Sequence, residues 1–246
     1  LVSPWEKECL GRFADPSRVE VVTNGVDADW FAPRRARPSS ADLVFVGALD
    51  YFANAEGIAA FARDVFPEVR RQVRGARLRI VGRKPGAETL ALGAQEGVHV
   101  VGELEDVRPE LWRAAIAFVP LRIAQGLQNK VLEAMAAGVP VVTSRAAARG
   151  IEGRAGEDFL VADEPAEWVR AIASLAESRQ RAQHLAANAL RLVHERYSWD
   201  RKADEYEAVL EAAGAVRRGL AGALAGRTGS RRAGGSGTAG RWTKPG

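Results

Sequence analysis

The sequence predicts an α/β fold, a parallel sheet with helices on both faces. Two observations carry that prediction. Between residues 42 and 211, short apolar runs alternate with longer amphipathic stretches, the rhythm of repeated strand–helix units. The apolar runs are only four to six residues long and end at turn-forming or polar residues, Gly47, Gly82, Gly102, Pro120 and Thr143, as buried strands do. In sheets of this kind ligands bind beyond the carboxyl ends of the strands, so those five strand ends are where function is sought.

In chain order, Leu43–Gly47 reads as the first strand. Asn54 to Val73 follows as a helix, with Ile58, Phe61, Val65, Phe66 and Val69 at helical spacing and Pro67 expected to kink or split it. Leu78–Gly82 is the second strand, residues 86–95 a short helix, and Val98–Gly102 the third strand. Another short helix is predicted over 107–114, and a fourth strand over Ala115–Pro120. Asn129–Ala137 reads as a helix stopped by Gly138, which tolerates positive φ. Pro140–Thr143 and Asp158–Ala162 complete the strands. Helices are expected over 165–177, 179–197 and 200–213.

The two ends of the chain fall outside this pattern. In residues 1–41, Pro4–Phe13 reads as a helix, Val19–Val22 as a strand, Asn24-Gly25 as a turn and Pro33–Ser40 as a polar connector. The expectation is the end of another domain plus a linker. The chain begins with Leu rather than Met and is read as starting mid-protein. Residues 214–246 are rich in Gly, Ala, Arg and Ser, lack the apolar surface for a core, and are expected to be a disordered basic tail. Seven basic residues and no acidic ones stand in 212–246, against a net charge of +4, so the body is mildly acidic. That balance predicts no specific nucleic-acid partner. No run of about 18 apolar residues is long enough to cross a membrane, and no signal peptide is recognisable. Cys9 is the sole cysteine, which excludes an internal disulfide and fits a cytoplasmic setting.

The segment from Pro120 to Ser144 carries the chemistry: PLRIAQGLQNKVLEAMAAGVPVVTS. A strand ends at Pro120, a loop containing Gly126 follows, and a helix begins near Asn129. Backbone N–H groups and the positive end of the dipole at that helix start suit an anion such as a diphosphate. Gly126 permits close backbone approach, and Lys130 adds a point charge. One turn on, Glu133 is placed to accept hydrogen bonds from vicinal hydroxyls, as on a ribose. The plainer alternative is an i,i+3 surface pair between Lys130 and Glu133.

This segment resembles the signature of retaining glycosyltransferases of the GT-B fold, family 4, in which two glutamates eight positions apart flank a glycine loop before LEAMA-x-G-x-PVV. Leu132 to Val142 matches the second half of that signature. Asn24-Gly25-Val26-Asp27 with Phe31-Ala32-Pro33 resembles the interdomain segment, and Tyr197-Ser198-Trp199 the segment before the last helix. The resemblance spans roughly residues 1–211. It implies a Rossmann-like nucleotide-sugar-binding domain over 42–213, with the N-terminal acceptor domain largely absent. It further implies a UDP- or GDP-sugar donor, a glycan or lipid-linked acceptor, and no cofactor or obligatory metal. Glu133 would hold the ribose and the backbone of Gly126, Leu127, Gln128 and Asn129 the diphosphate.

Two departures stand out. The first glutamate of the pair is replaced by Gln125, which keeps hydrogen-bonding reach near the donor sugar and loses the charge. The basic pair that many relatives carry after the first strand is missing from Gly47–Gly57. Lys130, Arg122, Arg83 and Lys84 are the remaining candidates to balance a diphosphate, with Gly47 giving it backbone access. The QNK triplet and the Asn-containing first loop resemble sugar transferases of bacterial exosortase and exopolysaccharide systems. The resemblance thus implies the donor half of a transferase, inactive or weakly active by itself, cytoplasmic or peripheral at the inner membrane face. A competing reading is a nucleotide-sugar-binding module or partner subunit.

Other chemistries find no footing. There is no G-x-x-x-x-G-K-[ST] and no G-x-G-x-x-G after a strand. His99, His184 and His194 fall on different predicted elements without ligand spacing, so no metal site is expected.

Overall fold

The computed structural model describes residue 1 and residues 4–33 and 41–229. The connector expected at Pro33–Ser40 falls outside them from residue 34 on, as does the expected tail beyond Gly229. The described residues belong to two compact units, Leu1–Ala203 and Asp204–Gly246.

The first unit is built on six parallel strands: β1 (Asp42–Val46), β2 (Arg77–Val81), β3 (Val98–Gly102), β4 (Ile116–Val119), β5 (Val141–Thr143) and β6 (Leu160–Val161). Their order is β3-β2-β1-β4-β5-β6. β1 pairs on one side with β2, in the register Leu43 to Leu78, and on the other with β4, in the register Leu43 to Ile116. The chain therefore winds outward from β1 one way, then crosses back to start β4. The crevice above β1 and β4, where the winding reverses, is the place such sheets offer a ligand.

Alternation along each strand divides the core in two. Leu43, Phe45, Ile80, Phe118 and Val142 face one side. Val44, Val81, Val119 and Val141 face the other. This is the period-2 pattern of a pleated strand with both faces covered. The first side is covered by α3 (Phe52–Asp64), α4 (Phe66–Gln72) and α9 (Pro165–Glu177). Phe61 anchors it, stacked 4.3 Å from Phe118 and edge-on to Trp168 at 5.4 Å. The second side is covered by α6 (Arg108–Arg113) and α7 (Asn129–Ala136), which inserts Val131, Leu132 and Met135. α10 (Arg179–Arg196) contributes to both, with Leu185 on the first side and Leu192 on the second.

Most predicted elements stand where expected. The helix expected over 54–73 is two helices, broken at Val65 with Pro67 in the first turn of the second, where its missing N–H costs nothing. The helix expected at 86–95 is α5 (Ala87–Ala91) with a 3-10 turn after it. Two short helices were not anticipated: α2 (Ala28–Phe31) and α8 (Arg145–Ala148), capped by Asp27 and Ser144 respectively.

Residues 1–33 differ more from expectation. The helix predicted to Phe13 ends at Leu10 as α1 (Pro4–Leu10), and Val19–Val22 forms no strand. The one bridge here joins Val26 to Ser198, with Val26 N–H donating to the Tyr197 carbonyl at 2.7 Å. Gly25 lies under the Trp199 ring, where a Cβ would come within 2.9 Å of the indole. The segment is thus tied to the end of α10 by backbone bonds and to α6 by side chains. The Arg108 guanidinium sits 3.5 Å over the Trp30 ring, and Trp112 Nε1 donates to the Phe31 carbonyl at 3.0 Å.

The second unit holds most of α11 (Trp199–Gly229). The sequence reading ended order at residue 213, yet helix continues through residue 229. Alanine is the commonest residue in 212–227 and no proline interrupts the stretch, which favours helix against the cost of its four glycines.

α3 approaches the end of β4 closely. A Cβ at Gly57 would collide with the Pro120 carbonyl oxygen, which is backbone and cannot turn aside. Gly57→Ala is expected to destabilise the protein by about 2 kcal/mol through overpacking. For a protein of this size that corresponds to a melting temperature about 4–8 °C lower, measurable by differential scanning fluorimetry; an unchanged midpoint would refute the contact.

Candidate functional site

The carboxyl edge of the sheet is assembled by glycines that let loops pass close together. A Cβ on Gly82 would strike the Gly47 carbonyl, so the loops after β1 and β2 interlock, and Gly47 N–H donates to the Val81 carbonyl at 3.0 Å. Gly126 adopts a positive φ of 62° in the loop between β4 and α7, a conformation open to glycine at little cost. That loop rests on Gly150, where a Cβ would sit 2.8 Å from the Gly126 oxygen. Ser144 fixes the loop's start by donating to the Leu121 carbonyl at 2.5 Å, and buried Leu127 fixes its end.

α7 begins at Asn129. The N-cap, Gln128, has extended backbone and makes no side-chain cap; its Nε2 donates to the Gln125 carbonyl at 3.0 Å instead. Val131 N–H donates to the Gln128 carbonyl at 2.9 Å, the N-cap side chain supplies no acceptor for the first turn, and the dipole places roughly half a positive charge there. Asn24, from the first thirty residues, donates to the Asn129 side chain at 3.4 Å.

Lys130 is the cation the structure places at the crevice. Its stem passes Gly47, where a Cβ would lie 3.2 Å from Cε, and its ammonium sits 5.5 Å from the Phe45 ring. Nζ donates to Asn54 Oδ1 at 2.7 Å, and Asn54 Nδ2 donates to the Ala48 carbonyl at 2.6 Å. Burial lowers the Lys130 ammonium to about 8, with the Glu133 charge pulling it back up. Burial likewise raises Glu133, and Lys130 opposes that shift. Two half-buried groups of opposite charge therefore sit one helical turn apart on α7, each partly desolvated. Both are more desolvated than a fully exposed i,i+3 pair would be.

The other basic candidates do not join this cluster. Arg122 is exposed and pairs with Glu56 on α3 at 3.2 Å. Lys84 is exposed, with a positive φ of 52°, and its ammonium lies 3.8 Å from Asp50. Arg83 is exposed beyond β2. Gln125 is exposed on the loop before α7. Of the sequence-predicted residues the structure thus gathers Gly47 and Lys130 by contact, with Gly126 to Asn129 leading into the same helix and Glu133 following on it.

Sequence reading noted Asn54 only as the asparagine of the segment after the first strand and gave it no role in the site. It is 3% exposed and lies on the same helical stripe as Ile58 and Phe61. A polar side chain on the apolar face of an otherwise regular helix was the available signal.

Two cavities flank the sheet. One of about 450 Å³ lies at the amino ends, lined by Ala41, Leu43, Ala115, Ile116 and Ile172, far from every strand end that carries chemistry. Another of about 370 Å³ opens at the carboxyl edge between α3 and α9, bounded by Gly57, Pro120, Arg122 and Asp163. Among the described residues no three His, Cys, Asp or Glu side chains converge as a metal site would require.

A family model described as "Glycosyl transferases group 1" matches residues 40–178, which contain the whole crevice. The chain belongs to that family. Within it, a D-inositol 3-phosphate glycosyltransferase of Catenulispora acidiphila is 30% identical over 235 residues, covering 83% of this chain and 54% of that protein. The chain spans about half the length of the curated relatives it matches. Among solved structures, Anabaena HepE, determined in complex with UDP, superposes with a TM-score of 0.71 at 13% identity, covering 85% of this chain and 62% of that one. The C-terminal domain of a group 1 family glycosyl transferase from Francisella tularensis is covered over 99% of its length by 71% of this chain, with a TM-score of 0.58 at 15% identity. The group 1 fold of the six-stranded unit is thus the C-terminal-like domain of GT-B glycosyltransferases.

A titration of the lysine ammonium groups by ¹⁵N NMR checks the electrostatics of this site directly. Lys130 should show a midpoint near 8, against 10.5 for an ordinary lysine. Glu133→Gln should move that midpoint further down, because the Glu133 charge is what opposes burial. A midpoint that stays put or rises in the variant would refute the coupling.

Proposed function

We propose that this chain supplies the donor-binding half of a retaining glycosyltransferase of family 4. It transfers a sugar from a UDP- or GDP-sugar to a glycan or lipid-linked acceptor. The single observation that carries the reading is the Lys130–Asn54–Gly47 constellation at the reversal point of the sheet, beside the uncapped start of α7. The family membership and the likeness to a UDP-bound neighbour agree with it.

In this reading the diphosphate lies over Gly47 and the first turn of α7, facing backbone N–H groups and the Lys130 ammonium. Those groups stabilise the negative charge that grows on the leaving diphosphate as the bond from its oxygen to the sugar's anomeric carbon breaks and an acceptor hydroxyl, losing its proton, takes that place. Such stabilisation is strong in a partly desolvated crevice and needs no reorganisation during the reaction. Glu133, half-buried one turn along α7, accepts hydrogen bonds from the ribose hydroxyls. Its raised pKa carries a consequence: the carboxylate is costly when bare, and hydroxyl donors replace the water it has lost. Gln125 orients the donor sugar as a neutral hydrogen-bonding group, which suits an uncharged hexose. The transfer as proposed uses no cofactor and no metal; Lys130 and the helix dipole supply the positive charge.

The biological setting we propose is exopolysaccharide synthesis at the inner face of a membrane. Support comes from the QNK triplet and the Asn-containing loop, both of which now meet in one hydrogen bond through Lys130 and Asn54. Among the described residues no helix is long and apolar enough to cross a membrane.

Calorimetric titration of the chain with UDP, GDP and their sugars tests the assignment. One nucleotide series should bind, and Glu133→Ala should weaken it about tenfold or more, the scale of losing charged hydrogen bonds to two hydroxyls. No binding in any series, or equal binding by the variant, would sink the site.

A further inference from the structure

We propose that Asn54 is the positioning residue for the diphosphate cation. It presents the Lys130 ammonium to the crevice without adding a negative charge beside it. This inference rests on the nucleotide-sugar reading above and adds to it the residue that makes a single lysine sufficient.

Asn54 is the third residue of α3 and is nearly fully buried, on the face that packs into the sheet. An amide in that place must satisfy both its ends. Its donor end is taken by the Ala48 carbonyl at 2.6 Å. The amide cannot be flipped, because flipping would set oxygen against the carbonyl and NH₂ against the ammonium. Oδ1 is therefore held toward Lys130, and it accepts from Nζ at 2.7 Å. One side chain thereby connects the loop after β1, the helix on one face of the sheet and the lysine of the helix on the other.

The chemistry of the acceptor matters. A carboxylate here would form an ion pair and cancel the charge that a diphosphate needs. A neutral amide orients the ammonium through a charge-assisted hydrogen bond and adds no opposing charge. An ammonium has three donors, and Asn54 takes one, so two remain for phosphate oxygens. The lysine stem is bounded by Gly47 and Phe45, so the ammonium is held at the mouth of the crevice. This arrangement answers the missing basic pair after β1. The segment after β1 carries no charge; the start of α3 carries the acceptor that aims a charge arriving from α7.

The test is a double-mutant cycle in the 246-residue chain, with UDP and GDP as probes and calorimetry as readout. Asn54→Ala should weaken binding of the preferred nucleotide about tenfold, as expected for losing a hydrogen bond to a charged group. Asn54→Asp should weaken it further, because its carboxylate competes with the diphosphate for Lys130. In a Lys130→Met background, Asn54→Ala should change affinity less than about twofold, since there is no ammonium left to aim. A merely structural Asn54, bracing the Ala48 loop, predicts instead that its loss persists undiminished beside Lys130→Met, and that result overturns the proposal. Equal binding by wild type, Asn54→Ala and Asn54→Asp overturns it as well. Should Asn54→Ala fail to fold, Asn54→Ser carries the same cycle with a shorter acceptor. Wild type that binds neither nucleotide overturns the nucleotide-sugar reading itself, which separates the two failures.

Discussion

Close backbone approach at the carboxyl edge of the sheet is the constraint on which the site depends. Gly82 leaves room for the Gly47 carbonyl, Gly57 for the Pro120 carbonyl, and Gly47 for the stem of Lys130. Each contact is between a missing side chain and either backbone or a lysine stem that has little room to move. Together they bring the loop after β1, the start of α3 and the start of α7 within hydrogen-bond reach of one another. With larger residues at these positions the loops would part, and the Asn54 bridge to Lys130 could not form. The sheet order explains why the approach happens here: β1 and β4 are neighbours whose following helices leave to opposite faces.

The electrostatics follow from that geometry. Crowding by neighbouring loops strips water from Lys130 and Glu133, so both charged forms become costly, and their mutual attraction offsets part of the cost. A site in this state gains from a ligand that presents both an anion and hydroxyl donors. Arg122, Lys84 and Arg83 lie outside this crowding. They are exposed, and the first two already face Glu56 and Asp50. Surface pairs of that kind contribute little and hold their charges in water.

The fold was largely legible because its signals are local. Strand runs such as Leu43–Phe45 and helix stripes such as Ile58, Phe61 and Val69 announce themselves through period and burial. Pro67 announced a break, and the structure has one at Val65. The misreadings also have local causes. Val19–Val22 is β-prone but finds no sheet edge to join, and its neighbour Val26 is captured by Tyr197 and Ser198. The stretch from residue 214 was expected to be a disordered tail for want of a core-forming pattern, while the backbone is helical to Gly229. In the site, Glu133, Lys130 and Gly126 could be named from the run that contains them. Asn54 stood out only as an asparagine after the first strand; its pairing with Lys130, 76 residues away, was not legible.

The sequence by itself determined the fold class, the order of elements, the family resemblance and the helix that carries the charge. Those properties reside in patterns a few residues long, set by side-chain period, glycine and proline. Only the tertiary structure decided which of four basic candidates is half-buried against Gly47, and what holds it there. That choice depends on which loops meet, and the meeting is governed by strand order and by steric clearance between segments distant in the chain. The Pro120–Ser144 run names the lysine; the packing of β1, α3 and α7 gives it its address.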